Sequence, residues 1–562
     1  MGAPCSAAPV VQGIEEMEFK REDWERYFPY PEVREQQVEA IEFALRELGS
    51  GKRAVIIEAG TGVGKSAIGY TVSRAWCAKN PRLAAFEDEA EVEPGAWFVT
   101  TQKILQDQYI RDFSIRGMCS IKSSSNYQCS FKRGNTCADS QKELRAEEKG
   151  SRFWNACTLG CVYKKEKEKF LKASTSVTNF PYLLTEANYS GKITKRQLLV
   201  VDEAHNTEGE LSKFIEVSVS ERFCKSILKI PYRPGKTQHQ AFLWIRDEYL
   251  PKVRRHLRHV EEMLEKHSGL KQKLADFVAL ARQIDLLKGH KEKLNKFVGV
   301  YSSNNWVYEM EGAEGRKGGR VTFKPIDVSP FSEDNLFRLG ERIVLMSATI
   351  LDRNALCQSL GIRPEEAAFI SLPSPFPVEN RPIMFFPIGS MAQRDIDKTL
   401  PLMVDAVKSI LQEHRKEKGV IHCNSYKIVN YLKRNIRSKR LLTHDSDNRD
   451  EVLKKHMRSK QPTVLLSPSM AEGVDLKDDA SRFQIICKVP YPYLGDKLIS
   501  KRMNKWDWWY PLQTAKTIVQ SVGRSVRSES DHAVTYILDS KWKQFYGRNR
   551  QMFPEDFRKC LK

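Results

Sequence analysis

The chain has 562 residues, of which 41% are hydrophobic and 29% are charged, and its formal net charge is +20 at pH 7. This length predicts roughly three to four domains, and the composition is that of a soluble globular protein. No run of about 18 uncharged apolar residues occurs, so the sequence predicts no membrane span. The positive charge favours polyanionic partners, above all nucleic acid, although a basic enzyme without such a ligand would have the same composition.

Two further features of the sequence indicate the cellular compartment in which the protein is expected to occur. Residues 1–13 lack a basic stretch followed by a long apolar one, so they do not resemble a secretory signal and are expected to form a short flexible lead-in. Twelve cysteines are too few for a disulfide scaffold. Both features favour an intracellular protein, cytoplasmic or nuclear depending on the host.

The first predicted elements are a helix over residues 37–48, an apolar strand over 54–57 and a helix that starts at Lys65. Strands that are apolar on both faces are typical of a parallel sheet covered by helices. Three similar runs end in polar or small-residue motifs, and they lie at residues 96–100, 198–201 and 343–346. The first half is therefore predicted to be a doubly wound α/β sheet with its chemistry at the strand ends.

Two stretches interrupt this pattern. Residues 117–163 are rich in Ser, Lys and Cys and poor in aliphatic residues, so hydrophobic burial alone is not expected to hold them together. Residues 221–319 have helical periodicity with many basic residues, which predicts a helical insertion. A second α/β series follows the turn-rich residues 373–377, with strands predicted at 419–422, 463–467, 483–488 and 533–538.

A glycine-rich segment, Ala59-Gly-Thr-Gly-Val-Gly-Lys-Ser66, follows the first strand and opens a helix. Backbone N–H groups in such a turn can approach and bind phosphates closely, and the helix N-terminus adds positive potential. Lys65 is expected to contact the β- and γ-phosphates of ATP, and Ser66 to hold Mg²⁺. The residues predicted to bind nucleotide here are Gly60, Thr61, Gly62, Gly64, Lys65 and Ser66.

The strand at residues 198–201 ends in two adjacent acids, Asp202 and Glu203. Asp202 is placed to hold Mg²⁺, and Glu203 to orient or deprotonate the attacking water. An Asp-Glu pair alone would more often be a solvated turn, but its combination with a phosphate loop predicts ATP hydrolysis.

Near the C-terminus, the spacing of Gln520, Arg524 and Arg527 predicts that they share one helical face. Arginines that meet the γ-phosphate charge in the transition state raise the rate of hydrolysis by orders of magnitude. The alternative is a surface helix held by salt bridges.

In their order along the chain, these motifs resemble the iron-sulfur group of superfamily 2 helicases that includes XPD and DinG. The matching segments are Arg34-Glu-Gln-Gln37, the phosphate loop, Thr100-Thr-Gln102, the DEAH box Asp202-Glu-Ala-His205, Ser347-Ala-Thr349, Ser374-Pro-Phe-Pro377, Glu472-Gly-Val-Asp475 and Gln520 to Arg527. The resemblance implies an ATP-dependent helicase with 5′ to 3′ polarity on DNA. It also implies that Gln37 lies near the adenine, that Thr349 couples hydrolysis to domain motion, and that Gly473 and Asp475 lie near nucleotide and DNA.

The resemblance further implies an α/β fold of two RecA-like parallel-sheet motor domains, with an iron-sulfur insertion and a helical arch in the first. The corresponding boundaries are 1–118, 164–220 and 320–375 for motor domain 1, 119–163 for the iron-sulfur domain, 221–319 for the arch, and 376–562 for motor domain 2. Expected partners are single-stranded and tailed duplex DNA and repair or replication proteins, with a motor that acts as a monomer. No exonuclease domain precedes the motor, so a fused nuclease is disfavoured. A DNA-stimulated ATPase or nuclease-associated motor, or a protein with an ATP-gated grip, remains the alternative.

Five cysteines lie within the insertion, at positions 119, 129, 137, 157 and 161. By resemblance, Asn126-Tyr-Gln-Cys129 provides the first ligand of a [4Fe-4S] cluster, and Cys157 and Cys161 form the closing pair. The predicted ligands are Cys129, Cys137, Cys157 and Cys161, and Cys119 is left over. The spacing alone also allows a structural zinc site or free cysteines.

Weaker signals point to DNA contacts. Residues 497–510 interleave basic side chains with tryptophans, a composition suited to phosphate attraction and base stacking, although packing is the more common role of such aromatics. Arg254, Arg255 and Arg258 could line a DNA passage or form a solvated helix face. The resemblance places Tyr163-Lys-Lys165 at the point of strand separation.

Overall fold

The fold is taken from a computed structural model that describes residues 17–80, 92–267, 274–312, 318–445, 447–468, 476, 478–526, 528 and 530–562. The chain divides into two compact units. The first contains Met1–Ile56, Ser66–Met346 and Cys357–Ala368, and the second contains Ile57–Lys65, Ser347–Leu356 and Phe369–Lys562. The predicted boundaries of four domains stay a prediction. No helix in the described ranges combines the length and apolar character needed to cross a bilayer.

Sixteen strands are present in the described part of the chain. They are β1 (Ala54–Ala59), β2 (Glu93–Thr100), β3 (Cys119–Ser120), β4 (Thr175–Asn179), β5 (Arg196–Asp202), β6 (Val217–Ser220), β7 (Trp306–Glu311), β8 (Arg320–Pro325), β9 (Gly340–Ser347), β10 (Ala367–Leu372), β11 (Ile383–Gly389), β12 (Gly419–His422), β13 (Leu441–Thr443), β14 (Val464–Ser467), β15 (Phe483–Ile486) and β16 (Val534–Asp539).

The helices surround these strands. They are α1 (Arg21–Glu25), α2 (Glu35–Gly49), α3 (Lys65–Lys79), α4 (Lys103–Phe113), α5 (Cys137–Glu143), α6 (Arg152–Leu159), α7 (Val162–Lys172), α8 (Phe180–Thr185), α9 (Thr207–Ile215), α10 (Glu221–Phe223), α11 (Gln238–Trp244), α12 (Leu250–His267), α13 (Leu274–Val300), α14 (Ser329–Asn335), α15 (Arg353–Leu360), α16 (Ile396–Glu413), α17 (Tyr426–Asn435), α18 (Arg449–Arg458), α19 (Lys497–Lys505), α20 (Trp509–Val522), α21 (Lys541–Asn549) and α22 (Glu555–Cys560).

A seven-stranded sheet has the order β10-β1-β9-β5-β2-β4-β3. Strand β5 runs parallel to both β9 and β2, and β4 runs parallel to both β2 and β3. Every residue of β1 and β5 is buried, because helices cover both faces of a parallel sheet and leave no polar side. The four strands predicted in the first half of the chain are confirmed as β1, β2, β5 and β9.

The six-stranded sheet lies within the second unit and has the order β11-β16-β15-β12-β14-β13. All its neighbouring strands are parallel. The four strands predicted in this half are confirmed as β12, β14, β15 and β16. The fold class, an α/β protein with two parallel sheets, is therefore the predicted one.

Three strands within or next to the helical insertion were not predicted. The helices α12 and α13 are present where helical periodicity placed them, but an antiparallel sheet of order β6-β8-β7 joins β7, within residues 221–319, to β6 and β8, which lie just outside this range. Trp306 and Phe323 of this sheet pack against Phe297 of α13. The strands are four to six residues long, so their alternation is too short to stand out from the helical pattern around them.

Candidate functional site

The phosphate loop connects β1 to α3, as the sequence predicted. Gly62 and Gly64 have φ angles of 92° and 91°, a left-handed conformation that glycine adopts without a steric penalty. The Lys65 Nζ donates a hydrogen bond to the carbonyl oxygen of Ala59, 3.2 Å away. The Lys65 side chain therefore folds back over the phosphate loop. Its ammonium group is expected to contact the phosphates that this loop binds.

The segment Ser374-Pro-Phe-Pro377 lies against this loop. A β-carbon added at Gly60 would be 3.0 Å from the Ser374 Cα, and one added at Gly62 would overlap the Phe376 ring. Phe376 is buried and packs with Val526 and Ala533. Glycine is thus required in the loop by packing against Phe376 as well as by the approach of a phosphate.

The two residues predicted to hold Mg²⁺ meet at one phenol. The Tyr109 hydroxyl donates to Asp202 Oδ2 at 3.1 Å, and the Ser66 side chain lies close enough to the same hydroxyl to lower its pKa. Asp202 is buried, and its Oδ1 accepts from the backbone N–H of Glu203 at 3.0 Å. A hydroxyl and a carboxylate that converge in this way provide the hard oxygen donors that Mg²⁺ requires.

Glu203 follows directly in a left-handed conformation, with φ of 55°. This conformation is costly for a residue with a side chain, and such backbone strain is concentrated at functional sites. The amide hydrogen bond to Asp202 holds the turn. The Glu203 carboxylate is partly exposed and lies 3.3 Å from His205 Nδ1, so it is open to a water molecule on one side and oriented on the other.

A second buried carboxylate was not predicted from the sequence. Glu58 precedes the phosphate loop and accepts hydrogen bonds from the Leu351 amide at 2.6 Å and the Ser371 hydroxyl at 2.7 Å. Leu351 itself has φ of 63°. Burial raises the pKa of Glu58, although these hydrogen bonds act in the opposite direction. Glu58 therefore fixes the turn that follows Thr349 next to the start of the phosphate loop.

The C-terminal motif differs from its prediction in one respect. Helix α20 ends at Val522, so Arg524 lies in the following turn and the expected shared helical face is wrong for this residue. Gly523 comes directly after the last helical residue, and glycine is a poor helix former. Gln520 remains on the helix and donates from Nε2 to Thr349 Oγ1 at 3.0 Å.

Other predicted nucleotide and catalytic residues are distributed as follows. Gln37 lies in the first turn of α2, where its Oε1 accepts from the Arg34 amide at 3.0 Å, so its side chain acts as a helix cap. Thr61 lies in the phosphate loop. Gly473, Asp475 and Arg527 lie outside the described residues.

The four cysteines predicted as cluster ligands, Cys129, Cys137, Cys157 and Cys161, line one cavity. The Sγ atoms of Cys137 and Cys161 are 3.5 Å apart. Burial and the neighbouring Cys161 raise the pKa of Cys137 to about 12. Burial would also raise the pKa of Cys129, but the nearby Ser140 side chain and hydrogen bonds from backbone amides lower it overall. Cys119 belongs to β3 and does not line this cavity.

Thiolates serve as ligands both in structural zinc sites and in iron-sulfur clusters. The four thiols around one cavity are therefore donors of the right chemistry for a metal centre of either kind.

Several of the residues that were weaker candidates for DNA contacts pack inside the protein. Trp506 and Trp509 are buried, so they pack α19 and α20 rather than offer faces to bases. Tyr163 is also buried, and its hydroxyl is 3.1 Å from that of Tyr182; its placement at the strand-separation point stays a prediction. The exposed Arg254 of α12 donates to Asn295 Oδ1 at 2.7 Å.

Comparison with known proteins gives matches along most of the chain. The family described as helicase C-terminal domain matches residues 408–560, and that described as type III restriction enzyme, res subunit, matches residues 30–230. The probable ATP-dependent helicase MJ0942 of Methanocaldococcus jannaschii is 22% identical over 95% of both chains. The ATP-dependent DNA helicase YoaA of Haemophilus influenzae is 24% identical over 68% of this chain and 66% of its own.

Among solved structures, Xpd4 of S. tokodaii superposes with a TM-score of 0.56, covering 94% of this chain and 99% of its own at 16% identity. At this identity the likeness concerns the fold. The two parallel sheets described above are RecA-like sheets of an α/β protein, as the sequence predicted.

Proposed function

We propose that the chain is a superfamily 2 helicase of the XPD/DinG type, an ATP-dependent DNA helicase that moves along single-stranded DNA from 5′ to 3′; its similarity to ATP-dependent helicases supports this proposal. The observation that carries the proposal is that Asp202 and Ser66, the residue that directly follows Lys65 of the phosphate loop in the chain, lie close to one hydroxyl. This places oxygen donors for Mg²⁺ beside the loop that would bind the ATP phosphates.

The proposed chemistry assigns one role to each group. Lys65 binds the β- and γ-phosphates, and Ser66 and Asp202 hold Mg²⁺, which neutralises phosphate charge when bound. Glu203 orients the attacking water and accepts its proton. Arg524 is proposed to meet the charge that develops on the γ-phosphate, and Arg527 is assigned the same role by resemblance.

Coupling of hydrolysis to movement is proposed to run through Thr349. The Thr349 hydroxyl accepts from Gln520, and the turn after it is held by Glu58. A change at the phosphates can therefore reach this turn through the strand that carries both Glu58 and the loop. The net charge of +20 supports sequence-independent binding of the DNA backbone.

We also propose that Cys129, Cys137, Cys157 and Cys161 hold a [4Fe-4S] cluster. Their common cavity supports this assignment. When bound, the cluster would cross-link an insertion that has few apolar side chains. Anaerobically purified protein is expected to be yellow-brown and to contain about four iron and four sulfide per chain. A colourless protein with one zinc would contradict the cluster and leave the motor assignment intact.

The experiment that tests the motor uses two short duplexes that differ only in whether the single-stranded tail is 5′ or 3′. With ATP and Mg²⁺, the 5′-tailed duplex is expected to be unwound and the 3′-tailed one to remain paired. Preference for the 3′ tail would reverse the polarity. DNA-stimulated hydrolysis without strand displacement would favour a non-unwinding ATPase, and cut strands on a denaturing gel would favour a nuclease.

A further inference from the structure

Tyr109 is not part of any motif found in the sequence, yet it is the residue that contacts both predicted magnesium ligands. It lies on α4, directly after β2 ends at Thr100. Its ring packs between Phe98 of β2 and Phe113 of the same helix, with centroids 5.7 Å and 5.8 Å away. The phenol is therefore fixed by packing before any ligand binds.

In the hydrogen bond between Tyr109 and Asp202, the Tyr109 hydroxyl is the donor. A tyrosine phenol has an ordinary pKa of about 10, so the group is neutral near pH 7 and keeps its proton. That proton points to Asp202 Oδ2 at 3.1 Å. The remaining lone pairs of the phenol can accept from Ser66, and this leaves the lone pairs of the Ser66 hydroxyl available for a cation.

Asp202 is then held at both oxygens. Oδ1 accepts from the Glu203 amide and Oδ2 accepts from Tyr109, so its carboxylate cannot rotate freely. Carboxylates that bind metals are commonly oriented by such outer hydrogen bonds, and losing one typically weakens metal affinity or activity by about 10–100-fold.

We infer that Tyr109 is a positioning residue that aligns Ser66 and Asp202 for Mg²⁺ before the metal arrives. The inference rests on the proposed function, because it assigns these two residues to the magnesium site. It goes beyond that function by naming a third residue, outside the helicase motifs, on which the metal affinity of the site depends.

The test compares Tyr109→Phe with a matched variant, Tyr70→Phe. Tyr70 is also buried in the first unit, stacks on Phe113, and donates its hydroxyl to the backbone oxygen of Arg116 at 3.2 Å. Both variants lose one hydroxyl and keep the ring, but only Tyr109 contacts the predicted magnesium ligands.

Binding of Mn²⁺, as a spectroscopic probe for Mg²⁺, is measured by electron paramagnetic resonance in the presence of a non-hydrolysable ATP analogue. Tyr109→Phe is expected to raise the Mn²⁺ dissociation constant about tenfold or more. Tyr70→Phe is expected to leave it within about twofold of the wild type, since the hydroxyl that it removes contacts only the backbone. In steady-state hydrolysis, Tyr109→Phe should need more Mg²⁺ and recover most of its kcat at saturating Mg²⁺.

Three outcomes would overturn the inference. Unchanged Mn²⁺ affinity in Tyr109→Phe would show that the hydroxyl only supports packing, and equal weakening in both variants would indicate a general loss of structure. A wild type that binds neither Mn²⁺ nor nucleotide would overturn the proposed function together with the inference. If Tyr109→Phe does not fold, Tyr109→Met, which fills the space and also lacks the hydroxyl, takes its place in the same measurement.

Discussion

The edge of the seven-stranded sheet that carries the predicted nucleotide site, here called the nucleotide edge, and the cysteine-bearing insertion differ in how they hold the side chains of their predicted sites in place. At the nucleotide edge, the groups follow β1 and β5, in which every residue is buried. In the predicted iron-sulfur insertion, residues 119–163, the buried side chains among those described are Ile121, Cys137, Ser140, Phe153, Cys157 and Tyr163.

The comparison indicates where each region gets its stability. The sheet supports its site by burial of apolar strands, at about 25 cal/mol for each Å² of apolar surface. The insertion has two thiols among its six described buried side chains, and four thiols line one cavity, so we expect its order to depend on what those thiols bind. Loss of one site should therefore leave the other region folded.

The largest expected effect is at the nucleotide edge. Lys65→Ala should lower ATP hydrolysis by at least about 100-fold, because it removes the cation that meets the transferring phosphoryl group. Iron content and single-stranded DNA binding should stay close to those of the wild type. The control is Lys52→Ala, because this lysine precedes β1 and its Nζ donates to the backbone oxygen of Glu365. Near-normal turnover in Lys65→Ala would contradict the phosphate-loop assignment.

The second prediction concerns the insertion. Cys157→Ser should lose the cluster iron and expose residues 119–163 to limited proteolysis, because serine is a poor ligand for the cluster and little apolar packing remains. Unwinding should fall much further than ATP binding. Cys119→Ser is the control, because this cysteine lies in the same region but outside the cavity.

A reversed result would change the ligand assignment. If Cys119→Ser lost iron while Cys137→Ser retained it, the four ligands would have been chosen wrongly. If Cys157→Ser also abolished ATP binding, the two regions would not be independent, and the contrast between them would fail.

The sequence predicts features that are encoded by neighbouring residues, and it does not predict contacts between residues that are distant in the chain. The strands, the phosphate loop and Asp202-Glu203 can be predicted from local patterns, because a buried strand or a glycine-rich turn is formed by consecutive residues of recognisable type. Tyr109 could not be predicted in this way, because its contact with Asp202 joins positions 93 residues apart and a tyrosine on a helix has no distinguishing pattern.

Two predictions failed because a local sequence pattern was overridden, in one case by a neighbouring glycine and in the other by the tertiary fold. The spacing of Gln520 and Arg524 fits a helical face, but Gly523 lies between them and the helix stops at Val522. The aromatic and basic residues 497–510 have the composition of a base-stacking surface, yet Trp506 and Trp509 are buried. Composition shows which side chains are present, and only the tertiary fold decides which of them face solvent.

The smallest expected effect concerns the buried carboxylate at the nucleotide edge. Burial is the main cause of the raised pKa of Glu58, and the charge of Asp556 adds to it. A carboxyl group whose folded-state pKa is raised binds more protons in the folded state than in the unfolded state, so the free energy of unfolding falls as the pH rises. This loss begins near pH 4.5, the ordinary pKa of the group, and continues through the raised folded-state value.

Glu58→Gln should remove this loss, because glutamine is neutral at every pH and resembles the protonated acid. Its amide oxygen can still accept from the Leu351 amide, and its NH₂ group can donate to Ser371. The melting temperatures of variant and wild type should be similar near pH 5, and the variant should become relatively more stable towards pH 8. Each kcal/mol corresponds to about 2–4 °C in a domain of this size. Glu32→Gln, at an exposed position, should show no such pH-dependent difference. Parallel melting curves for Glu58→Gln and wild type across this range would mean that Glu58 carries no pH-dependent stability.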